Sequence, residues 1–234
     1  MYDIRGADGT GTSANPVLSK TTNARAYTVR KLADGNCWMT ENLALPLVSG
    51  TAVEASSNTT ATPYSFTPTG TGGNDTAEVL NNNTKTPAPD GNYYYSWYAA
   101  TAGTGTYAQT TETAYSICPT GWRLPANYTI VPSKSIGSIT NAYGLTTNAV
   151  NNYNNNNQTF DGFPISFARN GCYTAGSPYA SPSGAQTQGG YYWSSTASSS
   201  DSTRAYELFY NSGWTAPQYP NSKFHGFNIR CVAL

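Results

Sequence analysis

The side chains that could do covalent or metal chemistry are few and far apart. Cys37, Cys118, Cys172 and Cys231 are the four cysteines, and His225 is the single histidine. A zinc site wants Cys or His in close pairs, which this spacing lacks. No metal and no cofactor is therefore expected. General acid–base catalysis wants paired carboxylates or a histidine held in a pocket. Asp and Glu total 12, most stand in turn contexts such as Asp34-Gly35, and His225 has no nucleophile beside it in sequence. The expectation is a protein that is not an enzyme. An even number of cysteines in a charge-poor chain reads instead as two disulfides formed in an oxidising compartment. Three pairings are open at this point.

Binding chemistry is the better match to the residue types. From Tyr191 to Leu234 the chain sets large aromatics among Ser, Asn and Pro. Asp201, Glu207, Phe209, Trp214, Tyr219, Asn221, Phe224 and His225 alternate with core-type positions at Tyr206, Leu208, Tyr210, Gly226 and Phe227. Rigid aromatic anchors beside adaptable polar side chains are what antibody paratopes use. Period-two alternation over Ala205 to Tyr210 puts Tyr206, Leu208 and Tyr210 on one side of a strand and Glu207 and Phe209 on the other. The predicted outcome is one contiguous, solvent-exposed face.

Composition limits the partners. Only 10% of the 234 residues are charged and the formal net charge is zero. Such a chain has no electrostatic footprint for nucleic acid and no basic face for a membrane surface. No stretch approaches the ~18 apolar residues of a transmembrane helix. Met1 is followed directly by YDIRGADGTG, without a basic start or an apolar run. With its Tyr, Asn and Thr content, the chain reads as extracellular or cell-surface, with a leader or anchor removed, and as a monomer.

The elements that must position these residues are short, because turn formers recur throughout. Tyr27, Val29 and Leu32 alternate as a strand, Asp34-Gly35 makes a hairpin turn, and Cys37–Met39 returns. Asn92–Ala102 reads as a strand running into a short helix. CPTGWRLP (Cys118 to Pro125) reads as a turn leading to a helix start, with partial helix over Asn127–Leu145. Asn151–Asn157 is a loop. Asp161–Gly171 is a strand with Phe163, Ile165 and Phe167 on one face. YYWSST and RAYELFY are further strands, and KFHGFNIRCVAL closes the sheet with Phe227, Ile229 and Cys231 inward. Residues 1–26 form an N-terminal extension. Residues 27–234 form one domain, carrying a Thr/Asn-rich excursion over about 47–89. Trp38, Trp122 and Trp193 are expected to anchor a thin core. Arg123 and Arg230 are expected to satisfy backbone carbonyls or a carboxylate.

Six motifs occur in order: DGNCWMTENLAL, YYSWYAATA, CPTGWRLP, GYYWSSTA, AYELFYNSG and HGFNIRCV. Together they resemble the Fibrobacter succinogenes major paralogous domain family, from about Tyr27 to Val232. The resemblance implies an α+β fold of C-type-lectin-like kind, related to formylglycine-generating enzymes, with short antiparallel strands, few helices and long loops. It also implies the pairings Cys118–Cys231 and Cys37–Cys172. The enzymatic relatives use reactive cysteines or copper, and this chain has no close Cys pair. Calcium-dependent lectins of this fold use Glu-Pro-Asn or Gln-Pro-Asp, and neither triplet is present. In the resembling fold, the segment holding Asp201 to His225 lies at the ligand-binding surface. This layout is similar to the variable proteins of diversity-generating retroelements. The expected function is surface-displayed binding of a protein or glycan. The alternative is a structural or adhesive cell-envelope domain.

Overall fold

Among the described residues, turn formers every few positions break the chain into strands of two to eight residues and two helices of four and seven. The computed structural model describes residues 2–3, 25–45, 47, 52–58, 60, 63–67, 93–105, 112–127, 134–143, 167, 169, 171–172, 189–211 and 215–234. In chain order the elements are β1 (Tyr2–Asp3), β2 (Arg25–Ala26), β3 (Val29–Lys31), β4 (Cys37–Met39), β5 (Val53–Ser57), β6 (Pro63–Phe66), α1 (Trp97–Ala100), β7 (Tyr115–Ser116), β8 (Trp122–Arg123), α2 (Ile136–Ala142), β9 (Gly190–Ala197), β10 (Arg204–Tyr210), β11 (Thr215–Ser222) and β12 (Val232–Ala233). Three sheets run β3-β4-β12-β8, β11-β10-β9 and β6-β5-β7, beside the ribbon β1-β2. Every pairing of these strands is antiparallel. The architecture is α+β.

The β3–β4 hairpin forms where Asp34-Gly35 predicts it. Gly35 takes φ +80°, a conformation that glycine adopts without strain. Asp34 accepts from the Asn36 backbone N–H at 3.1 Å and from Trp38 Nε1 at 2.9 Å, so the turn also fixes the Trp38 ring. Helix α1 starts because Ser96 Oγ accepts from the Ala99 N–H at 3.2 Å, an N-cap. It ends after one turn, where Ala102 and Gly103 adopt positive φ. The expected partial helix over 127–145 is α2. The segment after Cys118 differs from expectation: Trp122 and Arg123 lie on β8 and pair with Ala233 and Val232.

The C-terminal segment ties the sheets together instead of closing one of them. Phe227 bridges Tyr95, Asn228 exchanges backbone bonds with Tyr191 and Trp193, and the Ile229 and Cys231 carbonyls accept from Leu43 and Met39. Phe227, Ile229 and Cys231 are fully buried. Sheet β11-β10-β9 has core on both faces. Trp193, Ala197 and Ala205 pack in one cluster with Tyr95, Trp97 and Phe227, while Tyr192, Leu208 and Tyr210 pack in a second with Trp38, Phe167 and Val232. Gly190 opens β9 because a Cβ there would lie 2.2 Å from the Tyr210 ring.

The Cys118–Cys231 disulfide is formed, with Cα atoms 5.9 Å apart. The second expected bridge is not. Cys37 is exposed on β4, one strand in from the sheet edge, and Cys172 is buried, so both are free thiols. Cys172 follows Gly171, which bridges Gly190, and this places its thiol beside Tyr191 of β9.

Part of the expected excursion over 47–89 is structured. Leu47, Val53 and Ala55 are buried in the main cluster, and β5 pairs with β6 and β7. Residues 68–92, the Asn-rich loop and most of the strand expected over 161–171 lie outside the described residues, as does most of 1–26. Of that strand, Phe167 is buried, 6.3 Å from the Trp38 ring and 4.6 Å from Tyr192.

Candidate functional site

Strand register decides which candidate residues can meet. Glu207 stands opposite Trp193 on β9 and Tyr219 on β11, Phe209 opposite Tyr191 and Ala216, and Ala205 opposite Asn221. Residues directly opposite in an antiparallel pair share a face. Tyr191, Trp193, Glu207, Phe209, Tyr219 and Asn221 therefore lie on one face of the sheet. Their rings form a continuous row: His225–Phe227 at 5.9 Å, Phe227–Tyr191 at 5.2 Å, Tyr191–Phe209 at 4.9 Å and Phe209–Tyr219 at 5.9 Å.

Glu207 sits at an irregular point of this sheet. The register of β10 against β9 shifts between Ala205 and Glu207, and against β11 between Glu207 and Phe209. Such irregularities re-aim side chains and recur beside functional sites. The Glu207 side chain is fully buried. Asn221 Nδ2 donates to Oε1 at 3.1 Å, and Oε2 has no hydrogen-bond partner among the described residues. Burial raises the carboxyl pKa well above the usual range, with the Asn221 bond pulling weakly the other way. This favours the protonated form.

Cys172 and Tyr191 complete the floor. Burial, then the neighbouring Glu207, pushes the Cys172 thiol up to about 12, against a hydrogen bond from Tyr191. Burial, followed by Cys172 and Glu207, likewise raises the Tyr191 phenol. A thiol held that high is not a nucleophile at neutral pH.

The remaining candidates differ in setting. Tyr219 is 38% exposed and stands at the outer rim. Asn221, Phe224, His225 and Asp201 are partly exposed. Phe224 leans on Tyr98, ring centroids 5.6 Å apart. The His225 pKa is lowered, first by burial and then by Arg204, and its Nδ1 is unpartnered among the described residues. Asp201 is a turn residue: it accepts from the Thr203 N–H and Oγ1 at 2.9 and 2.7 Å and pairs with Arg204 at 3.1 Å. Trp214 lies outside the described residues.

The expectation of full solvent exposure is corrected for Glu207 and Phe209. Alternation identifies the two sides of β10, but both are packed, because β11 forms a third strand where its prolines predict loop. Sequence reasoning missed Tyr191, placed on a strand with no site role, and Cys172, expected in a bridge. The pairing of Tyr191 with Phe209 across two predicted strands was the available signal. Lys223 was missed too. It is buried over the Trp97 ring at 4.7 Å and donates to the Ser202 carbonyl at 2.7 Å, and burial lowers its pKa to about 8.

The two arginines are structural. Arg230 donates to Asn42 Oδ1 at 2.5 Å and to the Met39 carbonyl at 3.2 Å. Arg123 pairs with Glu112. Among the described residues no group of three or more His, Cys, Asp and Glu could hold a metal, and no helix is long and apolar enough to cross a membrane.

A family model described as the Fibrobacter succinogenes major domain matches residues 33–233. No curated protein and no solved structure matches the chain.

Proposed function

The chain belongs to the Fibrobacter succinogenes major domain family, and on that footing we propose that it is a surface-displayed binding protein whose partner, a protein or glycan, docks on the rim of β10 and β11. One observation carries this reading. Among the described residues, Val29 (36%) and Tyr219 (38%) are the exposed large hydrophobics, and Tyr219 is the outer end of the ring row that runs to His225. An exposed aromatic continuous with a rigid aromatic floor is a preorganised anchor, the kind of residue that dominates binding energy.

The scaffold is C-type-lectin-like on the strength of the six ordered motifs. Extracellular display accords with the Cys118–Cys231 bridge. The Tyr, Asn and His types at Tyr219, Asn221 and His225 fit a rim diversified by a retroelement. Binding, not catalysis, accords with the raised Cys172 thiol.

The test is to screen the intact chain against arrayed glycans and displayed bacterial and host surface proteins, then to compare Tyr219→Ala with Val29→Ala on each hit. The expected loss at Tyr219 is about 30-fold or more in Kd, the size of an anchor residue worth about 2 kcal/mol, with no change at Val29. Hits indifferent to Tyr219→Ala overturn the reading.

A further inference from the structure

Glu207 is the feature that the proposed function leaves unexplained. A buried carboxyl normally meets a cation or a full set of donors. Here one oxygen is bonded by Asn221 and the other has no partner among the described residues. The cations closest to it in sequence are engaged elsewhere: Arg204 with Asp201 and the Pro220 carbonyl, Lys223 with the Ser202 carbonyl and the Trp97 ring. The carboxyl is flanked on its own sheet face by the aromatic side chains of Trp193, Tyr219, Tyr191 and Phe209. Ring faces attract cations.

We propose that Glu207 is the recognition carboxyl for a primary alkylammonium, the head of a lysine side chain on a protein partner, admitted at the β11 edge between Tyr219 and Asn221. This rests on the binding face proposed above and names its ligand chemistry. An ammonium carries three donors and no acceptor, so it meets the unpartnered oxygen while its stem lies along the aromatic rings. The full burial of Glu207 selects a thin stem with a terminal charge over a pyranose ring. The rim residues that must swing aside are partly exposed, and exposed side chains change rotamer within nanoseconds. The ammonium pairs with the carboxylate form, so the proton that the buried carboxyl holds leaves to solvent as the cation binds.

The probe is Nα-acetyl-lysine-N-methylamide, titrated into the full chain by calorimetry and by NMR shifts of the aromatic resonances. The controls are the norleucine analogue, which lacks the ammonium, and glucosamine. The expected result is saturable binding of the lysine probe, at least 10-fold weaker in Glu207→Gln and absent with norleucine. In wild-type protein the affinity for the probe should rise with pH between about pH 5 and pH 8, as the buried carboxyl gives up its proton; this measurement needs no variant. Absence of saturable binding, equal binding by Glu207→Gln or by norleucine, tighter binding of glucosamine, or an affinity that does not rise with pH overturns the proposal. The binding face itself falls only if partner binding ignores Tyr219→Ala, so the two failures are distinguishable.

Discussion

Replacing Glu207 by Gln should make the domain more stable at neutral pH, contrary to the usual cost of changing a buried residue. Glu207 is fully buried without a counter-charge among the described residues, and its folded pKa lies well above the ordinary carboxylate value. A carboxyl raised in this way binds its proton more tightly in the folded state than in the unfolded chain, where the pKa is about 4.3. Its stabilising contribution is therefore complete below pH ~4.3 and is lost as pH rises from there through the folded pKa. The loss proceeds at up to ~1.4 kcal/mol per pH unit for one proton. Gln keeps the acceptor for Asn221 Nδ2 and does not titrate. For a chain of this size ~1 kcal/mol moves Tm by roughly 2–4 °C, so the two Tm values should part by up to about 3–6 °C per pH unit above pH ~4.3. The assay is thermal or urea unfolding of both proteins from pH 4 to pH 8. His225 titrates in both proteins and cancels in the difference. Its lowered pKa acts with the opposite sign, removing stability from each as pH falls below about 6.5. Parallel curves, or a variant less stable than wild type throughout, would show that Glu207 is charged and paired in solution.

Removing the Cys118–Cys231 bridge as the double alanine variant opens a loop with a sequence separation of 113; the chain-entropy model gives about 5 kcal/mol, read as a fall in Tm of about 10–20 °C, and a shift of less than about 3 °C contradicts it. Trp193→Ala empties a fully buried ring site and should cost about 3–5 kcal/mol in urea unfolding, whereas Tyr219→Ala should stay within about 0.5 kcal/mol of wild type; equal losses would make Tyr219 part of the core. Cys37 should react with a maleimide in the native protein and Cys172 only after unfolding, because one thiol is exposed and the other buried. A Cys37–Cys172 peptide in non-reducing mapping would restore the discarded pairing.

Local signals in the sequence carried the elements that depend on local chemistry. The Asp34-Gly35 turn and the alternation along β10 each rest on residues that act within a few positions of themselves. The Cys118–Cys231 pairing came from motif resemblance, since spacing leaves three pairings open. Strand β11 was illegible because Pro217 and Pro220 read as loop. Proline is tolerated on an edge strand, and β11 is at the edge of its sheet. The same gap concealed the setting of Glu207. Alternation separates two faces but says nothing of what covers them, and coverage here comes from Tyr95, Trp97 and Phe227, distant in sequence. Cys172 was misassigned for a related reason: a bridge Gly171–Gly190 places it, and two glycines leave no hydrophobic pattern to read.

The edge position of β11 also decides what can change on this face. Strands β9 and β10 are gripped by core on both sides, so a substitution at Trp193, Leu208 or Tyr210 opens a cavity. Gln218, Tyr219 and Asn221 are only partly buried or exposed, and among the described residues their strand pairs with one other strand, β10. Side chains there can be exchanged at small cost to the fold. Glu207 stands on the fixed side of this boundary although its strand neighbour, Tyr219, stands on the free side. A ligand meeting this face would find an exchangeable rim above a constant carboxyl. The rim would set which partner binds, and the carboxyl would set the one chemical group every partner must bring.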